Sequence, residues 1–145
     1  MPTLLESQVE SRRLVLPRES NAIRTAHGGD VLKWMEQTAA MSGMHFSASG
    51  VVTAGFDHGR FHNPIPQGAI ALIDAYVYEV GSSSMTIRVR VFHENHETGE
   101  RILTTDARVV TVAVDDDGES VDVPALEVDS DRGQRLQAEA LNAEE

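Results

Sequence analysis

The segment Gly28–Ser47 (GGDVLKWMEQTAAMSGMHFS) constrains the fold of this chain more than any other. Val31, Leu32, Met35, Thr38, Ala39, Ser42 and Phe46 recur at three-to-four spacing, and Asp30, Lys33 and Gln37 form a narrow polar stripe opposite. The spacing predicts a helix of about 20 residues, about 30 Å long, closed by Gly50. A helix this apolar has to be surrounded. The rest of the chain supplies the surroundings: 51–61, 69–80, 85–94 and 101–114 read as strands, separated by turn-forming stretches at 63–68, 81–84 and 97–100. In 85–94, Met85, Ile87, Val89 and Val91 face one way while Thr86, Arg88, Arg90 and Phe92 face the other. Before the helix, 7–16 reads as a first strand ending at Pro17, and 17–27 as a loop. The order predicts an α+β domain in which an antiparallel sheet of about five strands wraps one long central helix.

At 145 residues the chain suits one domain with a sizeable core. Residues 1–128 are expected to form it, followed by an acidic C-terminal tail, 129–145, in which 129–143 is either a short surface helix or disordered. The net charge is −11, with Lys33 the one lysine, and acidic residues concentrate at Asp115-Asp116-Asp117-Gly118-Glu119 and beyond Glu127. Such a surface argues against a nucleic-acid partner, which needs a basic face. Acid-rich, lysine-poor composition also matches proteins of salt-loving organisms, where the Debye length falls to about 3 Å at 1 M salt. The absence of cysteine removes disulfides, thiolate metal sites and a cysteine nucleophile. With no membrane-length apolar run and no basic-then-apolar leader, the chain is expected to be cytoplasmic, with no membrane partner.

The candidate chemistry lies where the loop meets the helix. The first turn of a helix has amides without intrahelical partners, and its dipole favours negative charge. Gly28 and Gly29 put no side chain in the way, so a carbonyl oxygen or oxyanion can sit against those amides. Glu36 lies two turns further on, at the shoulder of the apolar face, with small Ala40 and Gly43 after it leaving room for a substrate. Its carboxylate suits a general base or a nucleophile. Asn21, from the preceding loop, offers both a donor and an acceptor. Each has a plainer structural role: Glu36 as an ion-pair partner of Lys33 or Arg24, Asn21 as a turn or cap residue, Gly28-Gly29 as a tight turn. His27 reads as a helix-start residue. His58, His62, His93 and His96 show no metal-ligand spacing, so no metal is expected. Asp57 reads as structural, closing bonds within the sheet. Arg60 and Arg88, with Arg90 and Arg108, are candidates for holding anionic groups, from their places on strands or strand ends.

Several fragments occur in one joint order: Asn21 with His27-Gly28-Gly29; Val31-Leu32-Lys33 with Met35-Glu36; Val52-Thr53, Asp57, Phe61, Pro64 and Gly68; Val80-Gly81 with Ser84-Met85; Thr98-Gly99-Glu100-Arg101; and Thr111, Ala113-Val114-Asp115 before Val123-Pro124. Over roughly residues 9–126 the chain resembles the hotdog-fold acyl-CoA thioesterases of the cytosolic acyl-CoA hydrolase group. It departs from their pattern in three places. Glu36 stands where Asp is usual, Arg24 where Gly is usual, and Phe61-His62-Asn63-Pro64 where Phe-Leu-Arg-Pro is common.

The resemblance implies hydrolysis of fatty acyl-CoA to free acid and CoA without a cofactor. It also implies a site at a dimer interface, where Asn21 of one subunit works with Glu36 of its neighbour. A homodimer is the expected minimum and a hexamer, as a trimer of dimers, the expected assembly. Ser82, Ser83 and Ser84 occupy the turn where the family often places Arg-Thr-Ser, and so join Arg60 and Arg88 as candidate CoA contacts. Two alternatives stand beside this reading. One is a hotdog module that binds acyl-CoA without turnover. The other is a hotdog enoyl-CoA hydratase, suggested by the spacing of Asp57 and His62, though they follow the long helix and lack an intervening Asn-Pro.

Overall fold

The alternation in β4 (Ser84–Glu94) becomes the two faces of a curled sheet: Met85, Ile87, Val89 and Val91 are fully buried, while the residues between them point outward. The computed structural model describes residues 1–144, apart from the side chain of His58. Its elements are α1 (Leu4–Ser7), β1 (Val9–Leu14), α2 (Gly28–Ser47), β2 (Gly50–Phe61), β3 (Ile70–Val80), β4, β5 (Arg101–Val114) and α3 (Asp131–Ala143), with a 3₁₀ turn at Pro17–Glu19. The five strands form one antiparallel sheet in the order β1-β3-β4-β5-β2. β1 and β2, which flank α2 in sequence, therefore lie at opposite edges.

Helix α2 crosses the concave face and touches every strand. Val31, Trp34, Met35, Ala39 and Phe46 pack against Ala71, Ile73, Ala75 and Val77 of β3 and the inward residues of β4 and β5. Trp34 is buried although it lies off the predicted stripe, and Leu32, counted within that stripe, is 37% exposed. The sheet curls far enough to cover a wider sector of the helix than one stripe.

Gly43 has a different use from the one its size suggested. It is buried, and a Cβ there would come 2.9 Å from Thr111 Oγ1 and 3.5 Å from both Ile87 and Val51. Its smallness lets the helix backbone approach the sheet and leaves no room for a substrate. The helix ends not at Gly50 but at Ala48, which takes the left-handed conformation (φ 55°), while Gly50 opens β2.

β3 is buried on both faces. Tyr76 and Tyr78, on its convex side, cluster with Leu4, Leu136 and Ala140 from α1 and α3. Tyr76 OH donates to Leu136 O (2.8 Å), Gln137 Nε2 to Tyr78 O (3.1 Å) and Tyr78 OH to Glu144 Oε1 (2.6 Å). Burial, then the bond to Glu144, holds the Tyr78 phenol above its usual range. Ser130 caps α3 by accepting from Gly133 N at 3.0 Å. Of the two forms expected for 129–143, the structure has the helix, because Leu136 and Ala140 find an apolar face to cover.

Candidate active site

Glu36 is half-buried on the outward shoulder of α2, where Thr53 of β2 reaches it: Thr53 Oγ1 donates to Glu36 Oε1 at 2.8 Å. The bond fixes one carboxylate oxygen, and Oε2 accepts no hydrogen bond among the described residues. Just beyond Thr53 the β2–β5 pairing slips by a residue before Gly55, the kind of bulge that re-aims a strand near a site. Sequence reasoning did not select Thr53 as a site residue, because a threonine in a strand is unremarkable until the helix above it is placed. Glu36 also lines a groove of about 410 Å³, bounded by Ala40, Met41 and Met44 on α2 and by Ser11 and Arg13 on β1.

At the start of α2, His27 is the N-cap, and its Nδ1 accepts from Gly29 N at 3.1 Å. The expectation of two open amides is thereby narrowed, since the Gly29 amide is occupied by an imidazole that must turn aside before an oxyanion can take its place. Gly28 lies over the ring of Phe61, which a Cβ would meet at 3.8 Å.

Asn21 is exposed and bonded within its own loop. Its Oδ1 accepts from Ile23 N and Thr25 N, both at 3.1 Å, and its Nδ2 donates to Thr25 Oγ1 at 2.9 Å. Bridges Ser20–Ala26 and Thr25–Pro66 pin the loop, and Ile23 is 78% exposed at its tip. Within the protomer, then, Glu36 meets Thr53 and not Asn21.

Arg24 sits in this loop at φ 62°, in the left-handed region. A side chain costs about 1–2 kcal/mol there, and glycine gives back about 0.5–1 kcal/mol through its freer unfolded chain. Arg24→Gly is therefore expected to stabilise the fold by about 0.5–1 kcal/mol net. Urea unfolding checks it, and a loss of stability would show that the Arg24 side chain makes compensating contacts.

The remaining expected contacts are dispersed. Ser82 and Ser83 lie in the β3–β4 turn and Ser84 opens β4, beside the C-terminal end of α2. There the carbonyls of Ser82 and Ser83 accept from Val123 N (2.8 Å) and Ala113 N (2.9 Å). The helix N-terminus is about 30 Å of helix away. Arg60 is exposed near the other end of β2, adjacent to Phe61. Arg88 points to the convex face, away from Glu36, because its place in the β4 alternation opposes that of Ile87 and Val89. There its Nη2 lies 3.5 Å from Asp106 Oδ2 and its Nη1 4.0 Å from Glu139 of α3.

His62 Nε2 and Asp106 Oδ1 are 3.0 Å apart, and Asp57 Oδ2 is 3.6 Å from Arg108 Nη1. Asp57 and His62 thus have separate partners, against the dyad their spacing suggested. Among the described residues no group of three His, Asp or Glu side chains is placed to hold a metal, and no helix is long and apolar enough to cross a membrane.

Comparison with known proteins gives this geometry its context. The family model "Thioesterase superfamily" matches residues 24–100. An uncharacterised acyl-CoA thioester hydrolase of Bacillus subtilis, YkhA, is 34% identical over 121 residues, spanning 83% of this chain and 70% of the relative. An acyl-CoA hydrolase of Staphylococcus aureus, solved with butyryl coenzyme A, coenzyme A and coenzyme A disulfide, superposes with a TM-score of 0.91. Its identity is 28%, over 99% of this chain and 87% of that one. A hexameric acyl-CoA thioesterase gives a TM-score of 0.88 at 34% identity, over 98% and 91% of the two chains. The Staphylococcus aureus enzyme has also been solved with one asparagine, one aspartate and one threonine replaced singly by alanine. The aspartate follows the asparagine by 15 positions and the threonine follows the aspartate by 17. With a curled sheet around one helix and relatives matched over nearly its whole length, this chain belongs to the thioesterase superfamily, as a hotdog-fold acyl-CoA thioesterase.

Proposed function

We propose that Glu36, Thr53 and Asn21 are the working side chains of acyl-CoA hydrolysis in this protein, with Asn21 supplied by a neighbouring subunit. The observation that carries this reading is the Thr53–Glu36 hydrogen bond of 2.8 Å. Supporting it, Asn21, Glu36 and Thr53 are separated by 15 and 17 positions, as are the three residues replaced by alanine in the Staphylococcus aureus enzyme.

In the reaction, Glu36 takes a proton from water and the resulting hydroxide attacks the thioester carbon. The oxyanion is held by amides at the start of the neighbouring subunit's α2, the subunit that supplies Asn21, at Gly28 and, once His27 turns aside, Gly29, since within one helix these amides lie about 10–12 Å from Glu36. The C–S bond then breaks, and the CoA thiolate takes up the proton that Glu36 holds. Direct attack by Glu36 would instead give a mixed anhydride and release CoA first, with water cleaving the anhydride afterwards. Thr53 holds the carboxylate in one rotamer for either route, and Asn21 orients the water or the carbonyl.

The shared site requires at least a dimer. Supporting this, β2 lies at a sheet edge with no strand on its outer side among the described residues, an edge that a second copy can pair. A hexameric trimer of dimers is the proposed assembly. For the CoA phosphates, Arg60 is the arginine proposed here, since it flanks Phe61 near the start of α2. Ser82, Ser83, Ser84 and Arg88 reach CoA in this arrangement only if another protomer presents them.

Mixing tests the shared site. Asn21→Ala and Glu36→Ala homodimers are each expected to be nearly inactive. After co-refolding, about a quarter of wild-type turnover should return, because half of the dimers carry one complete site. Activity that stays at the level of the separate variants would place both residues in one subunit.

A further inference from the structure

We infer that the groove running from Glu36 to Met44 holds the acyl chain, and that Met44 sets a preference for medium-length chains of about ten carbons. This rests on the reading of Glu36 as the acid at the thioester. The groove's apolar part is on α2, where Ala40 stands one turn beyond Glu36, and Met41 and Met44 follow on the same outward side. Met41 is 40% exposed and Met44 47% exposed, although both side chains are large and apolar. On the opposite wall Ser11 is held by Thr38 (2.8 Å) and Arg13 by Gln37 (3.1 Å), so the polar lining is tied down beside the apolar strip.

This strip is continuous with the carboxylate. A chain whose carbonyl lies at Glu36 can follow the groove along α2 toward Met44, which leaves the direction of the helix N-terminus to the CoA portion. Eight helical steps from Glu36 to Met44 span about 12 Å. An extended hydrocarbon advances about 1.25 Å per carbon, from a C–C bond of about 1.52 Å opened to about 111°, so the path takes nine or ten carbons. Methionine suits its end, since an unbranched, adaptable side chain closes on a flexible chain without a fixed shape.

The test is the kcat/KM series for acyl-CoAs from two to sixteen carbons, on the wild type, Met44→Trp and Met44→Ala. For the wild type, each added carbon up to about ten should raise kcat/KM about two- to fourfold, as buried methylene surface allows. Met44→Trp should lower the decanoyl-to-butyryl ratio at least tenfold, and Met44→Ala should raise the tetradecanoyl-to-decanoyl ratio severalfold. Shifts of opposite sign cannot come from a general folding defect.

A length profile that neither variant moves overturns the inference. So does a change in oligomeric state without a change in profile, which would assign the groove to a second copy's helix. In both cases, butyryl-CoA turnover that Glu36→Ala abolishes would show that the reading of the acid itself survives. Turnover insensitive to Glu36→Ala, or absent at every length, removes that reading and the inference together.

Discussion

Glu36→Ala is expected to lower kcat for acyl-CoA hydrolysis by about 10²–10⁴-fold, the usual contribution of a positioned acid or base, with a much smaller change in KM. In the proposed reaction Glu36 acts on water or on the thioester carbon in the transition state, which is why the two effects separate. Most of the substrate is held elsewhere, and loss of an interaction made only in the transition state appears in kcat. Thr53→Ala should have a milder effect, since it frees the carboxylate from one rotamer without removing it. Glu36→Asp is informative because the carboxylate retreats by one methylene from Thr53, whose hydroxyl is 2.8 Å from Oε1 in the native protein. Continuous thiol release with a chromogenic reagent measures all three. A Glu36→Ala protein that keeps wild-type kcat would remove the acid from the mechanism.

Asp74→Ala is expected to cost about 3–5 kcal/mol, the penalty for stripping the partner from a buried charge. Asp74 is 2% exposed and accepts from Arg90 at 2.9 Å through Nε and at 2.6 Å through Nη2. The guanidinium is sandwiched as well, with its carbon 5.7 Å from the centre of the Tyr76 ring and 5.2 Å from that of Phe92. Removing the carboxylate leaves Arg90 under α3 with Glu139, at 4.0 Å, as the one remaining carboxylate in reach among the described residues. Total stabilities of about 5–15 kcal/mol make this loss large, and it should lower Tm by roughly 10 °C or more in a domain of this size. Replacing both partners, as Asp74→Leu with Arg90→Met, should cost far less, because no charge is then stranded. A single-variant loss below about 1 kcal/mol in urea unfolding would mean that Glu139 and water take over Arg90.

How far such features can be read from the chain depends on the range over which they are encoded. β4 and α2 announce themselves because their periods of two and 3.6 are local. The convex face does not. β3 alone does not say that Tyr76 and Tyr78 are buried, since their cover comes from α1, at the start of the chain, and from α3, some sixty residues later. The same distance effect hid Thr53, which matters only because a bulged edge strand brings it under Glu36. Gly28, Gly29 and Asn21 were readable as residue types but not as states: the Gly29 amide already has His27 as its acceptor, and Asn21 is knotted into its own turn. Arg88 shows the limit of composition, because strand parity sent it to the face opposite the acid.

The strand order also dictates when this protein can finish folding. β3, β4 and β5 are consecutive neighbours and can zip together from the chain at hand, whereas β2, among the described residues, hydrogen-bonds only to β5, the last of the five strands in sequence. During translation the twelve residues of β2 therefore emerge about forty residues ahead of the neighbour they need, with the apolar residues of α2 already synthesised and uncovered. Closing so long a loop slows folding, and in that interval the nascent chain is most in need of shelter from its own kind.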